Sequence, residues 1–374
     1  MRRISLVALV LTLFTLSTLY YARSASANAD HRPKLTPQQS DTTNGLIAVS
    51  PVNSQLVWAS GRNGTFTRTT DGGKTWHSGV VPGAETLQFR DVQGVSDKVA
   101  YLLSIGTGTD SRIYKTEDGG ANWTLQFQNQ DPDAFYDCFA FWTPTRGLAQ
   151  SDSVNGRFPV IRTRDGVNWE DIGDRLPVAL AGEFSFASSG TCVATQGERR
   201  AWIVTGGAAK ARVLATTDGG STWAAYDTPV TQGTPSSGIF SVAFRDAQHG
   251  FIGGGELDPA LPNVHRAARS GDGGKTWQLT TEPPSIGTIF GLSYASNSGV
   301  GEDANSGKDG DEGGRATGSR TVVITGPGGS AWTGDEGDTW SVLPGLTGYW
   351  AVAFANQETG WLVGAGGEIT RIDF

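Results

Sequence analysis

Tyr136 and Asp137 stand side by side, and Glu183 and Tyr349 complete a small set of side chains that could act as acid, base or nucleophile on a sugar. Retaining glycoside hydrolysis needs two carboxyl groups ~5 Å apart. No spacing among these four residues secures such a pair. The histidines, His31, His77, His249 and His265, are scattered without metal-ligand spacing. The acidic stretch GEDANSGKDGDEGGRATGSR at 301–320 lacks the ordered acids of a calcium loop and reads as a flexible insertion. No G-x-G-x-x-G lies between a strand and a helix. The expectation is a chain with no catalytic residues, no metal and no cofactor.

One set of acids is ordered. RTTDGGKTW, KTEDGGANW, RTRDGVNW, TTDGGSTW, SGDGGKTW and TGDEGDTW place aspartates at Asp71, Asp118, Asp165, Asp218, Asp272 and Asp335. A tryptophan follows each: Trp76, Trp123, Trp169, Trp223, Trp277 and Trp340. An aspartate carboxylate can accept the backbone N–H groups just ahead of it, and glycine supplies positive φ without steric cost. The tryptophan is then expected to tuck under the turn and bury its ring. A catalytic site needs asymmetry around one substrate, so six copies of one turn read as structure.

The boxes recur at intervals of 47, 47, 53, 54 and 63 residues, a period that points to a propeller or array. Between them a second pattern repeats. IFSVAFRDAQHGF at 239–251 and YWAVAFANQETGW at 349–361 alternate large and small side chains, which puts the two sizes on opposite faces of a strand. Related starts lie at Gly45, Tyr136 and Phe290. Seven modules are visible against six boxes, the last lacking its turn and outer strand. The 331 residues from Asn44 to Phe374 give about 47 per module, enough for four short strands. The fold expected is all-β: a seven-bladed β-propeller over 44–374. Its missing strand would come from just before Gly45 or from the first module.

Composition agrees, with 52 glycines, 16 prolines, 12 tryptophans and one methionine in 374 residues. At the N-terminus Arg2 and Arg3 precede an apolar run, Ile4 to Tyr21, and Ala25-Ser26-Ala27 offers a cleavage site. Residues 1–27 therefore read as a signal peptide, with an uncleaved membrane anchor as the alternative. The polar stretch 28–43 reads as a linker. Export to the periplasm or the exterior follows, and the formal charge of the remainder moves from −8 to −11. So acidic a domain is a poor partner for nucleic acid. A monomer is expected, touching a membrane only through an uncleaved leader.

Cys138 and Cys192 occupy equivalent positions in neighbouring modules. An oxidising compartment would permit a bond. Equivalent side chains point the same way round a ring, however, so one faces its neighbour and the other faces away. The expectation is two unbonded thiols. The strand starts carry unlike residues, Arg90, Asp137, Phe240, Phe290 and Trp350, with Glu183 and Tyr349 nearby. Charges mixed with aromatics suit a recognition surface at the funnel of a propeller. Arg90, Asp137, Glu183, Tyr349 and Trp350 are the candidate partner-binding residues, whereas Phe240 and Phe290 are expected in the core between blades.

The repeated S/T-x-D-x-G-x-T-W resembles the Asp-box, or BNR repeat, of sialidases and other propellers. Period, strand-plus-box segments such as SRIYKTEDGGANW and a box-less last blade make 44–374 similar to the photosystem II stability/assembly factor family and its non-photosynthetic bacterial relatives. That resemblance implies a seven-bladed scaffold that binds a protein partner. The sialidase resemblance implies an alternative, a glycoside hydrolase or glycan-binding propeller. Its early R-I-P motif is absent, with only a distant echo in GRFP at 156–159.

Overall fold

The computed structural model describes residues 32–284, 286–296 and 319–374. The expected signal peptide and all but Ser319 and Arg320 of the acidic insertion lie outside those residues. Seven four-stranded antiparallel sheets are arranged around a central channel as a seven-bladed β-propeller. The innermost strands of blades 1 to 7 are Leu46–Pro51, Gln88–Gly94, Tyr136–Thr143, Val193–Gln196, Ser237–Phe244, Gly291–Tyr294 and Tyr349–Phe354.

The last blade is completed by the front of the chain. Lys34–Gln38 pairs antiparallel with Ile369–Asp373, from Lys34 opposite Asp373 to Gln38 opposite Ile369. Residues 28–43 are thus not a linker throughout, because five of them form the outermost strand of blade 7. Pro37 is tolerated there because an edge strand leaves one row of N–H groups without ladder partners. Gln38 fastens the seam. Its Oε1 accepts from Trp76 Nε1 at 3.1 Å and Trp361 Nε1 at 3.2 Å, and its Nε2 donates to the Gly72 carbonyl at 3.0 Å.

The boxes form one repeated turn. In the first, Asp71 Oδ1 accepts the Thr75 N–H at 2.9 Å, Oδ2 accepts the Thr75 hydroxyl at 2.6 Å, and Thr69 Oγ1 accepts the Gly73 N–H at 2.9 Å. The turns at Asp118, Asp165, Asp218, Asp272 and Asp335 repeat this bonding. The Thr75 hydroxyl and N–H hold the Asp71 carboxyl well below the usual range, and Asn168 does the same for Asp165. The tryptophans depart from expectation. Only Trp76 is buried, at 4 % exposure. The other five are half-buried, and Trp123 packs against Phe66 and Trp58 of the preceding blade rather than under its own turn.

The inner strands share an irregularity. Pairing with the second strand skips one residue between Leu46 and Ala48, Phe89 and Asp91, Tyr136 and Cys138, Ile239 and Ser241, and Tyr349 and Ala351. The skipped residues are Ile47, Arg90, Asp137, Phe240 and Trp350. A β-bulge leaves one residue out of the ladder and re-aims its side chain. The facing strand must then approach closely. A Cβ on Gly61 would lie 2.1 Å from the Gly45 carbonyl oxygen, and one on Gly254 would lie 1.9 Å from that of Gly238.

Candidate functional site

Four of the five bulged residues, Arg90, Asp137, Phe240 and Trp350, line one cavity of about 380 Å³ at the end of the channel where the inner strands begin. Phe290, one residue before the inner strand of blade 6, lines it too. The bulge is what turns a strand position into a site position. Phe240 and Phe290, expected between blades, therefore belong to the funnel, although Phe240 keeps only 2 % exposure.

The aromatic side chains form a continuous row. Phe184 meets Phe186 with centroids 4.8 Å apart, and Phe186 stacks on Phe240 at 3.8 Å and 12°. Phe240 is followed by Phe290 at 5.9 Å, and Phe290 by Trp350 at 5.2 Å. Trp350 ends the row beneath two cations: the Arg90 guanidinium lies 5.2 Å from its ring centre and that of Arg62 lies 5.9 Å away. Neither arginine belongs to an ion pair among the described residues. Arg90 donates from Nη1 to the Ala187 carbonyl at 2.7 Å and from Nη2 to Gln88 Oε1 at 3.1 Å, while its buried Nε has no partner. Burial first, and the Arg62 charge second, lower its pKa to about 10.

An acid pair makes the opposite wall. Asp137 is buried and accepts from Gln150 Nε2 at 3.1 Å, while Asp152 accepts the Ser185 N–H at 3.0 Å. The two carboxyl groups are hydrogen-bonded to each other, so they share a proton rather than ionise together. Burial, then the Asp152 charge, pushes Asp137 well above the usual carboxylate range. Burial pushes Asp152 up to about 6, against the Ser185 N–H, which favours its charge.

Two candidate residues are corrected. Glu183 faces the blade interior, where its Oε1 accepts from Arg212 Nε at 2.9 Å and from the Thr205 hydroxyl at 2.6 Å. Tyr349 is buried with its hydroxyl 2.7 Å from Thr370 Oγ1. In both, the residue neighbours a funnel position but its side chain points away from it. Tyr136 likewise packs edge-on against Phe127, and burial raises its phenol pKa. Tyr136, Asp137, Glu183 and Tyr349 are not brought together.

Cys138 and Cys192 are bonded, with Cα atoms 5.9 Å apart, inside the range a disulfide spans. The expectation of two thiols fails because it assumed regular strands through both cysteines. The inner strand of blade 4 begins only at Val193, so Cys192 lies in an irregular segment that turns it toward blade 3. Sequence reasoning also missed Arg62, Asp152, Phe184 and Phe186. The alternation in EFSFAS, ahead of one of the two shortest inner strands, was the available signal for the two phenylalanines.

No protein-family model matches this chain, and no curated protein matches it. Solved structures do. The chain is similar to "YCF48 bound to D1 peptide" at 16% identity and TM-score 0.60, over 92% of this chain and 98% of that one. YCF48 from Cyanidioschyzon merolae follows at 15% identity and TM-score 0.57, over 91% and 98%. A virginiamycin B lyase from Staphylococcus aureus matches at 11% identity and TM-score 0.55, over 92% and 100%. A fold shared by a peptide binder and a lyase fixes the scaffold and leaves the function to the site.

Proposed function

We propose that the protein is an exported, non-catalytic β-propeller that binds a protein partner at the funnel, as an assembly scaffold similar to YCF48. The observation that carries this is the aromatic row ending at Trp350 beside two guanidinium groups that form no ion pair among the described residues. Aromatic and arginine side chains in a partly desolvated pocket are the groups that dominate protein interfaces. The unpaired cations favour a partner segment that carries a carboxylate beside an apolar side chain. Neither metal nor cofactor is needed for such a role. The protein works as a monomer in the periplasm or outside the cell, and its Asp-box turns are structural.

The test is affinity capture from the native envelope with wild type, Trp350→Ala and Arg62→Glu side by side. A partner retained by wild type and lost from both variants supports the reading. One retained equally by all three sinks it. A glycan-binding or sialidase-like role is the second reading, since aromatic faces also stack on sugar rings; binding or turnover of a sialoside would favour it.

A further inference from the structure

The funnel is closed below and uneven above. Residues 184–191 cross the central channel as its floor. The Ala187 carbonyl accepts from Arg90 of blade 2 at 2.7 Å, and Phe186 stacks on Phe240 of blade 5. Ser188 and Ser189 both donate to the Phe290 carbonyl ahead of blade 6, at 2.8 and 2.7 Å. A partner chain that enters the funnel has to lie across this floor. What it meets on the way differs from one side of the ring to the other.

Blade 5 carries the longest of the seven connections between a second and a third strand, residues 257–266 between Gly250–Glu256 and Ala267–Ser270. Its sequence, LDPALPNVHR, holds Pro259 and Pro262, which fix φ and donate no backbone N–H. Polar groups hold the loop in place. The Leu257 N–H donates to the Ser236 carbonyl at 3.1 Å, and Asp258 Oδ1 accepts the Ala260 N–H at 2.9 Å. Asn263 accepts the Glu256 N–H at 3.0 Å and donates to Thr288 Oγ1 at 3.2 Å.

The apolar side chains of the loop take no part in this. Leu257, Leu261 and Val264 are between 40 % and 47 % exposed, and none joins a core cluster among the described residues. Nine large apolar side chains are exposed among those residues; three fall within 257–264 and the other six are scattered. Single exposed apolar groups are ordinary, whereas a cluster on a fixed loop marks an interaction surface.

That cluster runs into the funnel. Leu257 lines the same cavity as Phe240, Phe290, Trp350 and Arg90. In a ring of seven, blade 5 stands opposite the pair formed by blades 1 and 2, which carry Arg62 and Arg90. Phe240, Phe290 and Trp350 join the two sides in steps of 5.9 and 5.2 Å, and Arg90 follows Trp350 at 5.2 Å. Charge divides along the same line. Asp258 is exposed beside the apolar cluster and forms no ion pair among the described residues, while the free cations stand at the far end.

We propose that the funnel takes one linear segment of the partner laid across its floor, with apolar side chains on Leu257, Leu261 and Val264 of blade 5 and a carboxylate held by Arg62 and Arg90 on the opposite side. The proposal rests on the funnel's being the partner site, and it adds the order of residues in the partner: apolar at one end, acidic at the other. An extended chain rises about 3.3 Å per residue, so the crossing takes about five or six residues. Removing apolar area from water anchors one end, and charge-assisted hydrogen bonds anchor the other. Asp258 repels the acidic end, so the segment lies in one orientation.

Fluorescence anisotropy of labelled hexapeptides, blocked at both ends and titrated with the full chain, tests this. The probe has three apolar residues, a serine and two glutamates, made in both chain directions. One direction binds wild type. Its affinity falls roughly tenfold when serines replace the apolar residues or glutamines the glutamates, and equally in Leu261→Ser/Val264→Ser and in Arg62→Glu. Leu261→Ser/Val264→Ser binds the serine probe as well as wild type does, and Arg62→Glu binds the glutamine probe as well as wild type does, since each variant lacks the half that each probe no longer offers. Both side chains of the double variant are exposed, so its melting stays that of wild type. A probe of the same residues in alternating order that binds as tightly overturns the crossing. So does undiminished affinity in Leu261→Ser/Val264→Ser while Arg62→Glu loses the probe, a result that leaves the funnel as the partner site. Binding that neither variant weakens overturns the funnel reading as well. Failure of both directions to bind wild type overturns the crossing alone, because capture of the envelope partner still tests the funnel.

Discussion

The Arg90 guanidinium lies 5.2 Å from the centre of the Trp350 ring, joining blade 2 to blade 7 across the funnel mouth. Both residues sit on β-bulges, so each side chain is free of the ladder that fixes its neighbours. Trp350 is only half-buried, and its removal leaves no sealed cavity in a blade. Trp350→Ala should therefore weaken partner binding by about 2 kcal/mol or more, the scale of an interface anchor. Its melting temperature should stay close to that of wild type. Titration of the captured partner against both proteins checks this, and equal affinity would remove Trp350 from the interface.

The disulfide closes a loop of 54 residues between blades 3 and 4. On the chain-entropy account a loop of this length stabilises by about 4 kcal/mol. The Cys138→Ser/Cys192→Ser double variant should melt well below wild type, and reductant should lower the melting of wild type but not of the variant. Both cysteines have 0 % exposure, so a thiol reagent should label neither in the native protein. Labelling without denaturant would mean that the bond is absent.

Which features were legible in the sequence follows from what each depends on. Seven modules are readable because the turn chemistry of Asp71 and its five counterparts is local, fixed by residues within one turn. Arg90, Asp137 and Trp350 are readable as unlike residues at like positions. Tyr349 was misplaced because a bulge at Trp350 changes which neighbour faces the channel, and Glu183 because it lies in an irregular segment before the inner strand of blade 4, where strand alternation does not apply. The partner of Glu183, Arg212, is 29 residues away in another hairpin, and no local pattern announces it. Cys192 defeated the argument from equivalence because its segment leaves the strand to cross the channel, which only tertiary contacts reveal.

Two kinds of carboxylate should oppose each other in the pH profile of stability. Asp71 and Asp165 are depressed by their turn hydrogen bonds, so their contribution is present above the unfolded value of 3.8 and is lost as pH falls below it. Asp152 is raised, so the folded state holds its proton longer, and stability falls as pH rises from about 4 to about 6. Melting across pH 3 to 8 should thus peak between these limits. Asp152→Asn should flatten the alkaline side, and Asp218→Ala should lower the whole curve without changing partner binding, since its turn lies away from the funnel. An unchanged slope in Asp152→Asn would refute the assignment.

The seam at Gln38 governs the funnel from a distance. Arg62 belongs to blade 1 and Trp350 to blade 7, so their approach at 5.9 Å depends on ring closure. Gln38 Oε1 is the acceptor for two buried indole N–H groups, Trp76 at 4 % and Trp361 at 0 % exposure. Gln38→Leu keeps the volume and the strand but leaves both donors unmatched, at about 1–3 kcal/mol each. Unfolding in denaturant should show a loss of about 2–6 kcal/mol on that basis. Deleting residues through Gln38 should cost more, because the edge of blade 7 is then bare. Partner affinity should fall in both variants even though neither touches the funnel, as the Arg62 side of the site loses its fixed distance from Trp350. A Gln38→Leu protein of wild-type stability would show that the strand pairing alone closes the ring.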